Sequence, residues 1–479
     1  MKDYDKLKFK AGLEIHQQLN SSKKLFSNAP NFLRSDKEDY TVQRKLHAVP
    51  GESGEVDVAV QYEGSLDKIF IYEGYNDTTS LVELDEEPPK KINEEALDIC
   101  LQIALLLNCE IYPVSQVMRK TVIDGSNTSG FQRTVLIGHD GFVDTSFGTV
   151  LIESIALEED SARVVKREKD KVVYNLDRLG IPLIEITTEP SMKNPEQIKE
   201  SALKIGEIFR ACNVKRGIGT IRQDVNISIN KHERVEIKGF QNPKMFVKTI
   251  DLEIDRQLRD IENKKFKGEV RKALANGSSE FLRPLPGKFR MYPETDMELL
   301  KNGKARLDKL KKNLPKLRSD IKSELRKKGL SEEMINLLVV DVNLLDEFMA
   351  LIKVYDKDAN LVAKMITVWR KEFEKKKNVD DILTERNYEK ILEKVRDSKL
   401  NKTDVKTVLK KLVEGIKFNN AIKIEKIDEN KLEEEIRKII KDKPGLRENA
   451  YMGLVIGKYK GKIDARKAIE IIKKILTNS

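Results

Sequence analysis

The chain has 479 residues, 39% of them hydrophobic and 35% charged. At roughly 100–200 residues per domain this length favours two to four domains, and the mixed charge with real apolar content excludes a wholly disordered chain. No run of about 18 apolar residues exists and the start, Met1-Lys-Asp-Tyr-Asp-Lys6, has no secretory h-region, so a soluble cytoplasmic protein is expected.

Cys100, Cys109 and Cys212 have no paired spacing, which fits a reducing compartment and excludes a cysteine-based zinc knuckle. The net charge of +10 is uneven: Met297–Ser479 carries 45 basic against 31 acidic residues, the preceding part 44 against 48. A slightly acidic front and a basic back suit a catalytic body with a nucleic-acid-contacting appendage, and equally a Lys/Glu-rich helical surface.

In chain order, the first informative string is Gly12-Leu-Glu-Ile-His16, on an expected strand. Residues two apart on a strand share a face, so Glu14 and His16 project together, as a divalent-metal or proton-transfer pair would. Val56–Gln61 alternates with period two and reads as a strand, and Glu94–Leu107 has helical spacing. Asp124-Gly-Ser-Asn-Thr-Ser-Gly130 is a glycine-bearing turn without the Gly-Lys-Ser/Thr of a phosphate-binding loop. Thr134–Gly138 and Phe147–Ala156 read as strands, the second running into the acids Leu157-Glu-Glu-Asp160. A helix is expected over Asn194–Ala211, with Pro195 near its start. Gly217-Ile-Gly219 precedes the strand Ile221–Ile229, which puts Arg222, Asp224, Asn226 and Ser228 on one face. Val235–Lys238 does the same for Glu236 and Lys238, and two such charged faces could meet in one cleft. After Tyr292-Pro-Glu-Thr-Asp296 strand signals fade into Lys/Glu/Leu/Ile-rich helical spacing. The fold class is therefore α+β: a mixed-sheet domain over 1–296, an all-helical domain over 297–412 and a small helical tail over 413–479. Asp464 reads as the N-cap of a last helix whose apolar face is Ala468, Ile469, Ile472 and Ile475.

Six strings taken in order resemble the B/E family of tRNA-dependent amidotransferase subunits: Gly12–His16, Leu157–Asp160, Leu179-Gly-Ile-Pro-Leu-Ile-Glu-Ile186, Arg222–Ser228, Val235–Lys238 and Tyr292–Asp296. Val122–Arg133, Leu81–Pro89 and Phe281–Gly287 resemble the archaeal E branch, with the bacterial B branch as nearest alternative. The E branch usually carries an insert similar to part of a bacterial aspartyl-tRNA synthetase; here the chain runs straight through Lys264–Glu269. Ser27 stands where relatives often have cysteine.

The resemblance implies ATP-dependent phosphorylation of the γ-carboxylate of glutamate on tRNA(Gln), then displacement of phosphate by ammonia. It implies Mg²⁺ held directly or through water by Glu14, His16, Glu159, Asp224 and Glu236, with Glu158 beside them. Charge and strand position make Arg222 and Lys238 expected partners of phosphate or carboxylate. With no amidase nucleophile evident, ammonia is expected from a partner, the asparaginase-like D subunit. Lys458, Lys460, Lys462, Arg466 and Lys467 are the expected tRNA-phosphate contacts. A tRNA-binding scaffold without catalysis remains the competing reading.

Overall fold

In the computed structural model, residues 2–479 are described except 48–49, 51–53, 57, 241, 286–290, 376–377, 424–427, 460–462, 464 and 478–479; the side chains of 342, 429, 465, 466 and 477 are also outside the description. The chain divides into two compact units, Met1–Leu317 and Arg318–Ser479.

The first unit is built on an eleven-stranded sheet. Its strands are β1 (Lys10–Gln18), β4 (Glu110–Ile111), β6 (Val117–Thr121), β7 (Phe131–Thr145), β8 (Gly148–Glu159), β11 (Pro182–Thr188), β12 (Ile221–Ser228), β13 (Val235–Phe240), β14 (Glu269–Ala273), β15 (Ser279–Pro284) and β16 (Met291–Pro293). The order is β15-β14-β13-β12-β1-β11-β8-β7-β6-β16, with β4 paired to β7. A second sheet joins β2 (Tyr40–Arg44), β3 (Ile69–Gly74), β10 (Lys171–Asn175) and β9 (Arg163–Arg167), and β5 (Val114–Ser115) pairs with β17 (Leu300–Lys301).

The large sheet is antiparallel except where β13 meets β14. A parallel neighbour needs a long crossover, and α4 (Met245–Glu262) supplies it. Alternation along β1 shows how the sheet is anchored: Ala11, Leu13 and Ile15 are fully buried on one face. That face carries the core, together with α2 (Glu94–Leu106), α3 (Pro195–Ala211) and α4. Leu13 and Ile15, fully buried, each contribute about 1.5–3 kcal/mol. The helix starts follow from their sequences: Asn93 and Asn194 cap α2 and α3 by accepting from Ala96 N and Gln197 N, and Pro195 occupies the first turn of α3.

The strand expected over Val56–Gln61 is instead a helix, α1 (Val58–Gly64), with Asp57 outside the described residues. Its buried residues are the neighbours Ala59 and Val60, while Val58 is exposed. A strand would send two neighbours to opposite faces; one turn of helix lets both pack inward. The last helix of this unit is α5 (Lys304–Lys312), whose Leu310 joins the sheet core.

The second unit is helical. The helices α6 (Arg318–Lys327), α7 (Glu332–Val340), α8 (Val342–Val354), α9 (Ala359–Lys364), α10 (Arg370–Glu374), α11 (Glu385–Arg396), α12 (Val405–Val413) and α13 (Phe418–Ala421) contribute to one core. A π turn, Met365–Trp369, joins α9 to α10. There Thr367 Oγ1 donates to Ala363 O at 2.6 Å, a side-chain bond of the kind that perturbs the helical ladder. A separate small core is made by α14 (Glu429–Asp442), α15 (Glu448–Lys458) and α16 (Ala465–Thr477). Its α16 face is Ala468, Ile471, Ile472 and Ile475, so Ile471 takes the buried place expected for Ile469. The expected cap Asp464 lies outside the described residues. Among the described residues no helix is long and apolar enough to cross a membrane.

Candidate active site

The face of the large sheet opposite the helical core is polar at its centre. In register, Glu14 lies across from Asp224 on β12 and Thr187 on β11, and His16 lies across from Arg222 and Glu185. Leu183, two residues before Glu185, pairs with Glu158 on β8. Pairing thus carries Glu14, His16, Asp224, Glu185 and Glu158 onto one patch. Potential ligand atoms of Glu14, His16 and Asp224 lie within 4.8 Å of one another, as do those of His16, Glu158 and Glu185.

His16 links the two groups. Its Nε2 is 3.1 Å from Glu185 Oε2 and 3.6 Å from Glu14 Oε1. Among the described residues its buried Nδ1 has no hydrogen-bond partner, and neither has Asn226 Oδ1 on the patch face of β12. Burial works against a charged imidazole, but Glu185 and Glu14 outweigh it and raise the His16 pKa above its ordinary value. Burial, and then the neighbouring Glu185, raises the Glu14 carboxyl. Glu185 is held well below the usual carboxylate range: burial alone would raise it, and Lys120 and His16 overcome that.

Two lysines brace the patch. Lys120 on β6 donates to Glu158 Oε1 at 2.6 Å and to Glu185 Oε2 at 3.4 Å, and Gln132 Nε2 donates to Glu158 Oε2 at 3.1 Å. Lys238 donates to Asp224 Oδ2 at 2.7 Å and also contacts Glu236 Oε1. The register shift between Gln223 and Val225 makes this possible, because it brings both Lys238 and Gly239 opposite Asp224. Gly239, at φ 88°, then donates its N–H to Asp224 Oδ1 at 3.0 Å. Lys238 loses solvation, yet Asp224, Glu236 and Glu14 keep its pKa raised.

Five carboxylates on this patch thus face two lysines and one imidazole. The protein compensates by favouring protons on Glu14 and His16. A divalent cation would supply the same two charges, and hard oxygen donors with one imidazole suit Mg²⁺.

Arg222 shares the face but is bound from the side: its Nη2 donates to Asp160 Oδ1 at 2.9 Å. Asp160 is buried and also accepts from Gln18 Nε2 at 2.6 Å. Burial would raise its pKa, but Arg222 and Arg178 lower it.

Glu159 is not brought to the patch. Strand alternation sends it to the other face from Glu158, where Arg133 N donates to its Oε2 at 3.3 Å and Arg133 Nη1 is 3.5 Å from Oε1. Arg133 and Arg119 both bond Glu294, the acid of the Tyr292–Asp296 string. Sequence reasoning missed Glu185, Lys120 and Asp160 as members of the network. For Glu185 the signal was present: one acid in the apolar strand Pro-Leu-Ile-Glu-Ile-Thr-Thr188.

Of the expected RNA-contacting residues, Lys458 is exposed and bonded to Glu435 Oε2 at 2.9 Å, and Lys467 is exposed on α16. Lys460, Lys462 and the Arg466 side chain lie outside the described residues.

Residues 9–308, the part that builds this sheet and its acid patch, match the GatB/GatE catalytic domain, and the chain belongs to the GatB/GatE family. It is 34% identical to the glutamyl-tRNA(Gln) amidotransferase E subunit of Methanocaldococcus jannaschii, over 99% of each chain. It is 32% identical to the protein of the same name from Methanobrevibacter smithii, over 98% of this chain and 99% of that one. A third, from Methanococcus vannielii, is 51% identical over 53% of this chain and 41% of its own. The alignment with the Methanocaldococcus protein spans 626 positions, so at least 147 of them (626 less 479) have no residue here. Between α4 and β14 this chain has only residues 263–268, with Lys264 at φ 58°.

Proposed function

We propose that this chain is the E-type subunit of a glutamyl-tRNA(Gln) amidotransferase and that the acid patch is where the glutamyl group is activated. The observation that carries the reading is the convergence of Glu14, His16, Asp224, Glu158 and Glu185 on one sheet face, braced by Lys120 and Lys238, in a chain of this family.

The reaction joins anions, so charge neutralisation matters more than a protein nucleophile. An oxygen of the substrate γ-carboxylate attacks the γ-phosphorus of ATP, and ADP leaves with the electrons of the broken P–O bond. Ammonia nitrogen then attacks the acyl carbon, inorganic phosphate leaves, and a proton is lost from nitrogen to give the amide.

Mg²⁺ would be held by Glu14, His16 and Asp224, with Glu158, Glu185 and Glu236 directly or through water, and would neutralise phosphate charge there. Glu159, on the other face, belongs with Arg133 and Glu294 rather than in this set. Lys238 holds Asp224 and Glu236 in place. Asp160 holds one edge of the Arg222 guanidinium, whose side chain is 38% exposed and can meet a phosphate or carboxylate.

Ammonia comes from a glutaminase partner, the D subunit, and the tRNA is met by the basic helical part, including the segment with Lys458 and Lys467. Such work belongs in the cytoplasm. The division into a 1–296 cradle, a 297–412 helical domain and a 413–479 tail is part of the same reading.

The test is amidation of Glu-tRNA(Gln) by the full chain with ATP, Mg²⁺ and ammonium chloride, repeated with glutamine plus the D subunit. Formation of Gln-tRNA(Gln) with matching ADP release is expected. Tight tRNA binding without phosphate release under either ammonia supply would leave a scaffold instead.

A further inference from the structure

The short turn between α4 and β14, Asn263-Lys-Lys-Phe-Lys-Gly268, stands outside the acid patch and is fixed at both ends. Lys265 N donates to Asp260 O at 2.7 Å and Lys264 N to Ile261 O at 3.0 Å, the paired bonds that close a helix when the residue after its cap turns left-handed. Asp260 is itself held by Arg256 Nη1. Further on, Phe266 O accepts from Glu233 N at 2.8 Å, and Gly268 N donates to Glu233 Oε2 at 2.9 Å. A Cβ on Gly268 would lie 2.3 Å from Arg234 O, so this close approach requires glycine.

Two features of the turn have no use inside the protein. Lys264 takes the left-handed position at φ 58°, where glycine or asparagine is the favoured residue. A lysine there strains the backbone, and among the described residues its ammonium makes no ion pair or hydrogen bond in return. The same lack of partners holds for Lys265 and Lys267 in the turn and for Lys231, Arg234 and Arg259 beside it, all exposed. On these two segments the exposed acids are only Glu233 and Glu262. The second feature is Phe266, 38% exposed between Lys265 and Lys267. A single exposed ring is ordinary, but a ring held among unpartnered cations has the composition of a nucleic-acid contact: cations for phosphates, an aromatic face for a base.

Its place suits that use. Val270 on β14 pairs with Glu236 of the acid patch, and Gly268 lies two residues before it. At about 3.3 Å per residue, the turn begins about 7 Å along β14 from the patch. A tRNA with its acylated end at the patch brings its neighbouring phosphates into that range.

We propose that this turn is an RNA contact of the sheet unit, with Lys264, Lys265 and Lys267 meeting phosphates near the acylated end of the substrate tRNA and Phe266 stacking on an unpaired base there. The inference rests on the tRNA-dependent reading above and gives the sheet unit its own hold on the RNA, apart from the basic helical part. It falls where this chain runs straight through the place of the E-branch insert.

The full chain is titrated with deacylated tRNA(Gln) over a series of salt concentrations. The variants are Lys264→Gly, the triple Lys264→Gly with Lys265→Ser and Lys267→Ser, and Phe266→Leu. Lys264→Gly relaxes the backbone and should melt no lower than the wild type, so a purely structural role predicts unchanged binding by it, whereas the proposal predicts weaker binding. The triple variant should bind about tenfold less tightly or worse, with the slope of log affinity against log salt shallower by about 2. Phe266→Leu should cost about fivefold or more at every salt concentration with the slope unchanged, as a lost stack does. In amidation with ammonium chloride the KM for Glu-tRNA(Gln) should rise in the same variants while kcat holds. Wild-type affinity and slope in all the folded variants overturns the RNA contact and leaves the tRNA-dependent reading intact. Losses seen only with glutamine plus the D subunit, at full tRNA affinity, overturn it in favour of an acidic protein surface as the occupant. A wild-type chain that binds no tRNA overturns both the contact and the reading beneath it.

Discussion

His16 and Glu185 face each other across the antiparallel pairing of β1 and β11, with Nε2 and Oε2 3.1 Å apart. Glu185 also accepts from Lys120, so one carboxylate ties the imidazole to the lysine that holds Glu158. Glu185→Gln keeps the shape and removes the charge. The His16 pKa should then fall, read by NMR titration of the imidazole, and amidation should drop by tenfold to about 100-fold, as for lost partners of metal ligands. An unchanged titration would detach His16 from Glu185.

Glu158 and Glu159 are neighbours on opposite faces. Glu158→Gln should lower amidation and raise the Mg²⁺ concentration needed for half-maximal rate. Glu159→Gln should act on stability, because it removes the charge facing Arg133, with activity per folded molecule and Mg²⁺ response retained. Equal Mg²⁺ responses would return Glu159 to the ligand set.

Lys238→Met leaves Asp224 and Glu236, both largely buried, without their shared cation. A loss of about 2–4 kcal/mol is expected for breaking such a network from one side. Mg²⁺ should recover part of it, because a ligand bound only by the folded state stabilises by mass action. Urea titrations with and without Mg²⁺ measure both effects, and a melt indifferent to Mg²⁺ would separate Lys238 from the metal.

Lys215, pulled down to about 8 from an ordinary 10.5, gives a pH signature. Below pH 8 the folded state carries an ammonium that its surroundings disfavour. Between about 8 and 10.5 the unfolded chain binds more protons than the folded one, so stability rises with pH. Lys215→Met has no such slope. The variant should be the more stable protein at neutral pH, and its advantage should close by pH 10.5. A pH-independent difference in melting temperature would contradict the depressed pKa.

Much of the site was legible because strands alternate. Glu14 with His16, and Arg222 with Asp224, were set on shared faces by period two alone, and antiparallel pairing then joined the faces. What alternation could not supply was register: Glu185 becomes a partner of His16 only once β11 lies beside β1. Alternation also argues against Glu159, since consecutive residues cannot share a face, and the run Glu158-Glu159-Asp160 tempts the eye to treat three acids as one. At Val56–Gln61 the same rule misled, because packing of Ala59 beside Val60 overrode a short alternating string. The helical back of the chain was readable as helices from spacing, whereas its split into a larger and a smaller core depends on which apolar faces meet.

The π turn at Met365–Trp369 has a practical consequence. Trp369 is the sole tryptophan of the chain and packs against the larger helical core. Excitation at the red edge of protein absorption therefore reports on the second unit alone, while the sheet unit emits only through tyrosines such as Tyr72 and Tyr174. Tyrosine emission mixes the two units, since Tyr355, Tyr388, Tyr451 and Tyr459 belong to the second, so it is the tryptophan signal that follows one unit without a label, and a substitution in the acid patch carries in it an internal reference.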